Sequence, residues 1–117
     1  MSKREGRLLV QDMLRAVETI AAVVENLSFA GFASDELRQK SVIHDFMVLG
    51  EAASRGPPET RALAPEIPWR DMVAMRNKLI HAYLRIEPPI VLRAAIVELP
   101  ELRRQLEALR DRLHASD

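Results

Sequence analysis

The sequence predicts an all-α fold from its composition and from the spacing of its apolar residues. Leu, Ala, Glu and Arg are the commonest residues and only four of the 117 residues are Gly, a composition that favours helices. Apolar residues recur at spacings of three and four through most of the chain, which is the helical period. We therefore expect a single domain over residues 1–117, built as an antiparallel bundle of four to five helices.

The first helix is predicted from about Arg7 to Leu27. Its apolar residues form one stripe, with polar residues such as Asp12 and Glu18 opposite. Residues 28–33 are interpreted as a connection. Ser34 offers an N-cap for the second helix, and the acidic residues at 35 and 36 suit the positive end of its dipole.

The second helix is expected to run to about Ser54. Its core stripe consists of Val42, Ile43, Phe46, Leu49, Gly50 and Ala53. Gly50 lowers helix propensity, and the simplest reason for it is a close crossing with another helix. Val48 and Ala52 lie outside the stripe and predict a second buried surface. Two apolar faces on one helix of so short a chain favour a homodimer.

The third long helix is bounded by Pro68 before it and by Pro88-Pro89 after it. A turn at 55–60, a short helical turn from Pro58 to Leu63 and residues 65–68 lead into it. Trp69 is expected to anchor its start by packing, in preference to stacking on a base. At about 100° per residue, one arc of this helix contains Met72, Val73, Met75, Leu79 and Ile80.

The last helix is predicted to follow Pro88-Pro89. Its apolar stripe is Leu92, Ile96, Leu99, Leu102, Leu106, Leu109 and Leu113. Pro100 should kink this helix or restart it as a first-turn residue. The basic residues of this segment alternate with acidic ones and predict a solvated face: Arg103, Arg104, Arg110 and Arg112.

Composition excludes several classes of function. Lys plus Arg equals Asp plus Glu at 17 each, so any nucleic-acid contact must come from a local arrangement of arginines. The chain has no Cys, which excludes disulfides and thiolate nucleophiles and fits a reducing cytoplasm. We expect no signal peptide and no membrane span. His44 and His114 have no partners at metal-ligand spacing, so we expect surface positions for both and no metal or other cofactor.

The densest chemistry lies in the third helix, at Arg76, Asn77 and His81. An arginine binds phosphate bidentately and an imidazole transfers protons near neutral pH, so this set suits phosphodiester cleavage. Asn77 and His81 share a face that is rotated by about 100 to 140° from Arg76. Arg76 and His81 can therefore meet only if the helix end distorts, if Arg76 reaches round, or if a second chain completes the site.

Each of these residues also has a structural interpretation. Arg76 could simply pair with Glu51 or Asp45. His81 could be a polar residue near a helix end, where the dipole favours its charge. Tyr83, in the same arc as Arg76, could be an aromatic at the edge of the core.

The order Arg76, Asn77, His81, Ala82, Tyr83 resembles the Arg-x-x-x-x-His-x-Tyr motif of HEPN-domain ribonuclease toxins of the HepT type. Three further segments are similar to that family in kind and order, so the resemblance covers nearly the whole chain: Leu49-Gly50-Glu51-Ala52-Ala53, Pro65-Glu66-Ile67-Pro68-Trp69 and Glu98-Leu99-Pro100-Glu101-Leu102.

The resemblance implies a homodimeric HEPN bundle whose composite site uses Arg76, Asn77, His81 and Tyr83, with Glu51 in support. It implies metal-independent cleavage of RNA, with tRNA as one candidate. It also implies a type VII toxin-antitoxin system, in which a nucleotidyltransferase antitoxin of the MntA type silences the toxin by adding AMP to Tyr83.

Two alternatives stay open at this point. The chain could be a non-catalytic HEPN module that binds a nucleotide or the nucleotidyltransferase, or a purely structural helical dimer. An intact Arg, His and Tyr set favours the nuclease, because docking alone does not need those residues.

Overall fold

The computed structural model describes residues 2–82 and 87–115 of the chain. No strand occurs in these ranges, and the prediction of an all-α fold is confirmed. The elements in order are α1 (Ser2–Val24), α2 (Phe29–Ala33), α3 (Glu36–Ser54), α4 (Pro58–Leu63), α5 (Trp69–Ala82), α6 (Pro88–Arg93), a π-helical turn (Ala94–Glu98) and α7 (Leu99–Ala115).

Helix α1 ends at Val24, earlier than predicted, because Asn26 adopts a left-handed conformation with φ of 58°. Asn tolerates that conformation and commonly terminates helices. Leu27 therefore lies beyond the helix, where it packs half-buried against the core.

The segment after α1 corrects two predictions. The predicted connection contains the short helix α2, whose N-cap Ser28 accepts a hydrogen bond from the Gly31 N–H at 3.0 Å. Ser34 is the C-cap of α2 and not the N-cap of α3. Asp35 caps α3 instead, accepting from the Arg38 N–H at 3.0 Å. A carboxylate at this position also complements the helix dipole.

Helix α3 is central, with α1 on one side and α5 on the other. The predicted stripe from Val42 to Ala53 is buried. Ala52 is only 2% exposed within a single chain, and Val48 is half-buried against the core. The second apolar face of α3 thus has a partner in its own chain, so it gives no evidence for a dimer.

The link from α3 to α5 is held by side chains that bind backbone carbonyls. Arg61 donates to the Ala53 carbonyl at 2.7 Å, at the end of α3. The buried Trp69 donates through Nε1 to the Ala64 carbonyl at 3.0 Å, so its predicted role as a packing anchor is confirmed. Arg112 of α7 donates to the Leu63 carbonyl at 2.7 Å. These bonds fix the point from which α5 starts.

The chain from Pro88 to Ala115 is one helical rod with a π-helical turn inside it. The Leu99 N–H bonds to the carbonyl of Ala94, five residues back. Pro100 lies in the first turn of α7, as predicted, where its missing N–H costs least. The predicted burial of Ile96 is wrong, since it is 51% exposed. The wider turn shifts the helical phase, so that Ala95 faces the core instead.

Helix α5 packs extensively against α3, and within the described residues it has no comparable contact with α6 or α7. A cleft of about 800 Å³ lies on that side, lined by apolar residues that include Leu49, Met72 and Val91. Charged side chains, Lys78 and Glu98 among them, also line it. No helix in the ranges 2–82 and 87–115 is long and apolar enough to cross a membrane.

Candidate active site

The site is built where α5 crosses α3 at Gly50. A Cβ atom at Gly50 would lie 2.6 Å from the backbone oxygen of Met72 and closer still to Cβ of Arg76. No side chain fits there, so the glycine sets how closely the two helices approach. The predicted close crossing is confirmed, and it brings α3 against the helix turn that carries Arg76.

Arg76 is held from two sides. Its Nη1 donates to Glu51 Oε2 at 2.5 Å, an ion pair between α5 and α3. Its Nε and Nη2 donate to the Asn77 side-chain oxygen at 3.1 and 2.9 Å. The Arg76 side chain is 20% exposed, against 50% for Glu51. Because both neighbours orient one planar group, the guanidinium is fixed in direction before any ligand arrives.

The side chains of Arg76 and Asn77 meet although the two residues lie on different faces of α5. Arg76 leaves α5 on the side of α3 but reaches the Asn77 oxygen, which belongs to the exposed face. His81 lies one turn beyond Asn77 on that face and is exposed. The guanidinium of Arg76 is thus turned towards Asn77 on one side, while Glu51 of α3 holds it on the other.

The hydrogen bonds of Arg76 leave donors for a ligand. A guanidinium has five N–H donors, and the bonds to Glu51 and Asn77 use three of them. Within the described part of the chain, two donors are thus available to a phosphate oxygen. The Asn77 amide oxygen accepts two of these hydrogen bonds, so it orients the arginine.

Glu51 also approaches a second arginine that sequence reasoning missed. Arg55, the C-cap residue of α3, lies one helix turn further along the chain, with its Nε 3.9 Å from Glu51 Oε1. The spacing of four from Glu to Arg is a sequence signal that could have found it. Asp45, the other partner considered for Arg76, makes no such bond among the described residues. Burial raises the pKa of Asp45, and the neighbouring His44 partly opposes that rise.

Some residues predicted from the sequence lie elsewhere than expected or outside the described ranges. Ile80, predicted to lie in the core arc of α5, is 50% exposed in the single chain. Tyr83, predicted as the modified residue, lies outside the described residues. His44 and His114 are exposed, as expected. Among the residues that the structure describes, no group of three or more His, Cys, Asp or Glu side chains could hold a metal ion.

Comparison with known proteins gives a consistent family signal. Residues 13–109 match the model of the family described as "Ribonuclease HepT-like". The chain is 34% identical to "Probable ribonuclease HepT" of Thermococcus cleftensis over 108 residues, which cover 92% of this chain and 98% of the relative. It is 28% identical over 109 residues to "Putative RNase MJ1216" of Methanocaldococcus jannaschii, covering 93% and 90% of the two chains. No solved structure matches the chain at a significant level.

Proposed function

We propose, because this chain belongs to the HepT-like ribonuclease family, that it is the toxin of a type VII toxin-antitoxin system and cleaves RNA, with tRNA as the first candidate substrate. We place Arg76, Asn77 and His81 at its active centre, with Glu51 in support. The observation that carries the proposal is the double fixation of the Arg76 guanidinium by Glu51 and Asn77.

The chemistry follows from the residue types. A base removes the proton of a 2′-hydroxyl, and the 2′-oxygen attacks the adjacent phosphorus. The bond from phosphorus to the 5′-oxygen breaks, and an acid protonates that oxygen. The products are a 2′,3′-cyclic phosphate and a 5′-hydroxyl. Arg76 stabilises the charge on the pentacoordinate phosphate through its remaining N–H donors. This scheme needs no metal ion.

Two proton transfers require two proton-transfer groups, while each chain brings one histidine to this face. In a homodimer, His81 of the partner subunit supplies the second group if the two α5 faces share one cleft. One imidazole then acts as base and the other as acid. The dimer is thus part of the proposal, on the ground that the site is incomplete without it.

Variants of His81 and Arg76 test this function. We expect purified His81→Ala and Arg76→Ala to cleave RNA at least about a hundredfold more slowly than the parent. Expression of the parent should inhibit growth, and both variants should relieve the inhibition. Matched controls are His44→Ala and Arg15→Ala, exposed residues of the same types on α3 and α1, which should behave as the parent.

Circular dichroism should show both active-centre variants folded. Cleavage at the parental rate by purified His81→Ala would remove His81 from the mechanism. Activity that is lost in EDTA and restored by a divalent ion would replace the metal-free scheme. A parent that binds RNA or the nucleotidyltransferase without cutting RNA would identify a non-catalytic module instead.

The proposed control of the toxin acts on Tyr83. An AMP attached to the phenolic oxygen two residues after His81 brings a phosphodiester charge and an adenosine next to the active centre. That charge competes with the RNA phosphate for Arg76, and the nucleoside occupies space that the substrate needs. We propose an MntA-like nucleotidyltransferase as the enzyme that adds it, in the cytoplasm.

Mass spectrometry of protein co-expressed with its nucleotidyltransferase tests this control. We expect one added AMP on Tyr83, loss of RNA cleavage, and an unchanged melting temperature. Tyr83→Phe should remain active and unmodified in the same cells. Inhibition without modification, or equal modification of Tyr83→Phe, would point instead to occlusion by a bound partner.

A further inference from the structure

The face of α5 opposite its core contains a row of four exposed residues: Arg70, Ala74, Asn77 and His81. Their spacings of four, three and four place them within an arc of about 60°, at about 100° per residue. The row faces away from Met72 and Leu79, which are buried. The two motif residues Asn77 and His81 thus lie in the same row as Arg70, which is two helical turns before Asn77.

Arg70 has no evident structural role in the folded chain. Among the described residues, no hydrogen bond or ion pair engages its guanidinium, whereas Arg76 and Arg55 both pair with Glu51. Arg70 also lies in the first turn of α5, where the helix dipole disfavours a positive charge. Asp71 follows it about 100° further round and lines both the apolar cleft and the hollow that Arg70 borders, but no ion pair joins the two among the described residues.

We propose that Arg70 binds a backbone phosphate of the RNA whose scissile bond lies at Arg76 and His81. This rests on the proposed nuclease function. Arg76 and His81 follow Arg70 by six and eleven residues, which span about 9 and 16 Å along the helix at 1.5 Å per residue. At about 3.4 Å per nucleotide of a stacked strand, the bound phosphate is about three to five nucleotides from the cleaved bond.

The middle of this row leaves room for an RNA strand. Ala74 is the residue of the row between Arg70 and Asn77, and it presents only a methyl group. Beyond it, Arg70 and Trp69 border a shallow hollow of about 290 Å³ at the start of α5. The substrate class that fits is a single-stranded stretch, such as a loop, lying along α5 with its backbone against the helix.

Affinity and kinetics of Arg70→Ala test this inference. Binding of fluorescent single-stranded RNA is measured by anisotropy in a His81→Ala background, and KM and kcat are measured with His81 intact. We expect Kd and KM to rise about tenfold, as for the loss of one charge-assisted phosphate contact, with kcat changed less than about twofold. The slope of log K against log salt should fall by about 0.7.

Substrate length gives a second readout that a structural role would not move. RNAs are shortened one nucleotide at a time on each side of the cleaved bond. On one side only, the effect of Arg70→Ala should vanish once fewer than about three nucleotides remain. Arg70→Lys should restore most of the affinity, because it keeps the charge. Arg15→Ala removes the same charge from α1 and should leave Kd and the salt slope unchanged.

The result that overturns the inference is an Arg70→Ala protein whose Kd, KM and salt slope all equal those of the parent. Equal loss of affinity for RNAs of every length would also reject the position assigned to the phosphate. If the parent fails to cleave RNA while Arg70→Ala still weakens RNA binding, the nuclease proposal fails and the phosphate contact stands. The two failures are therefore distinguishable.

Discussion

At the residue scale, Gly50 and Glu51 each determine part of the position of Arg76. Gly50 lets the backbone of α5 approach α3, and Glu51 then meets the guanidinium that this approach delivers. One residue sets the distance between the helices and the next sets the direction of the side chain. The site thus depends on α3 as much as on the helix that carries the motif.

Replacing Gly50 by Ala should therefore disturb the position of Arg76 as well as the stability of the fold. Ala gains about 1 kcal/mol of helix propensity, but overpacking costs about 1–3 kcal/mol, and the Met72 carbonyl cannot move without moving α5. We expect a lower melting temperature and at least a tenfold loss of RNA cleavage. Thermal denaturation and initial rates on the same preparation measure both.

The matched control is Gly31→Ala in α2. A Cβ at Gly31 would meet side-chain atoms of Leu27 and Ser28 at 3.1 and 3.2 Å, and no backbone atom is among its nearest neighbours. We expect that variant to cleave RNA as the parent does. If Gly50→Ala melted and cleaved like the parent, the crossing would not be the element that positions Arg76.

At the element scale, the sequence predicted the long helices well and their junctions poorly. Periodic residues from Val42 to Ala53 and from Leu99 to Leu113 are buried as predicted, because their spacing reports directly on which face meets the core. Asp35, and not Ser34, is the N-cap of α3, and Ala95, and not Ile96, is buried in the core. Such choices depend on tertiary packing, which local spacing does not contain.

The candidate site shows the same division. The motif and its helical faces predict Arg76, Asn77 and His81 as site residues, and the prediction that Arg76 pairs with Glu51 or Asp45 is confirmed for Glu51. What the sequence did not determine was that Asn77 accepts from Arg76, because side-chain torsions decide it. The spacing of Ala52 also does not say which helix covers it, and the structure buries it within one chain.

The π-helical turn contains one residue more than an α-helical turn would, in an otherwise regular helix. Deleting one residue there tests whether the extra residue is needed. Val97 is exposed. Removing it and replacing Pro100 by Ala should give a continuous α-helix in which Leu99 to Leu113 keep their direction. We expect this variant to melt within a few degrees of the parent. Replacement of Pro100 is needed because its ring would clash with a carbonyl one turn back.

Deletion of Ala108 is the comparison. It rotates Leu109 and Leu113, both buried, by about 100° out of the core, and each lost leucine contact costs a few kcal/mol. We expect that variant to melt far lower or not to fold. Equal destabilisation by the two deletions would mean that the π turn is required for packing and is not a spare residue.

At the scale of the whole molecule, the dimer is the prediction with the widest reach. We expect light scattering at micromolar concentration to give twice the chain mass of 13.3 kDa. This expectation rests on the need for two proton-transfer groups and on exposed apolar residues such as Ile80, which lies within the motif. A mass of 13.3 kDa in active preparations would require the second group to come from elsewhere, for example from the RNA itself.

Helix α5 packs extensively against a single neighbouring helix, and this bears on its local unfolding. Within the described residues, this helix is fastened extensively only to α3, while α3 and α7 both rest on α1. We therefore expect amide protons of α5 to exchange with solvent through a local opening that leaves the other long helices closed. A ligand that bridges α5 to another surface would suppress that opening by mass action, linking occupancy of the site to the protection of its helix.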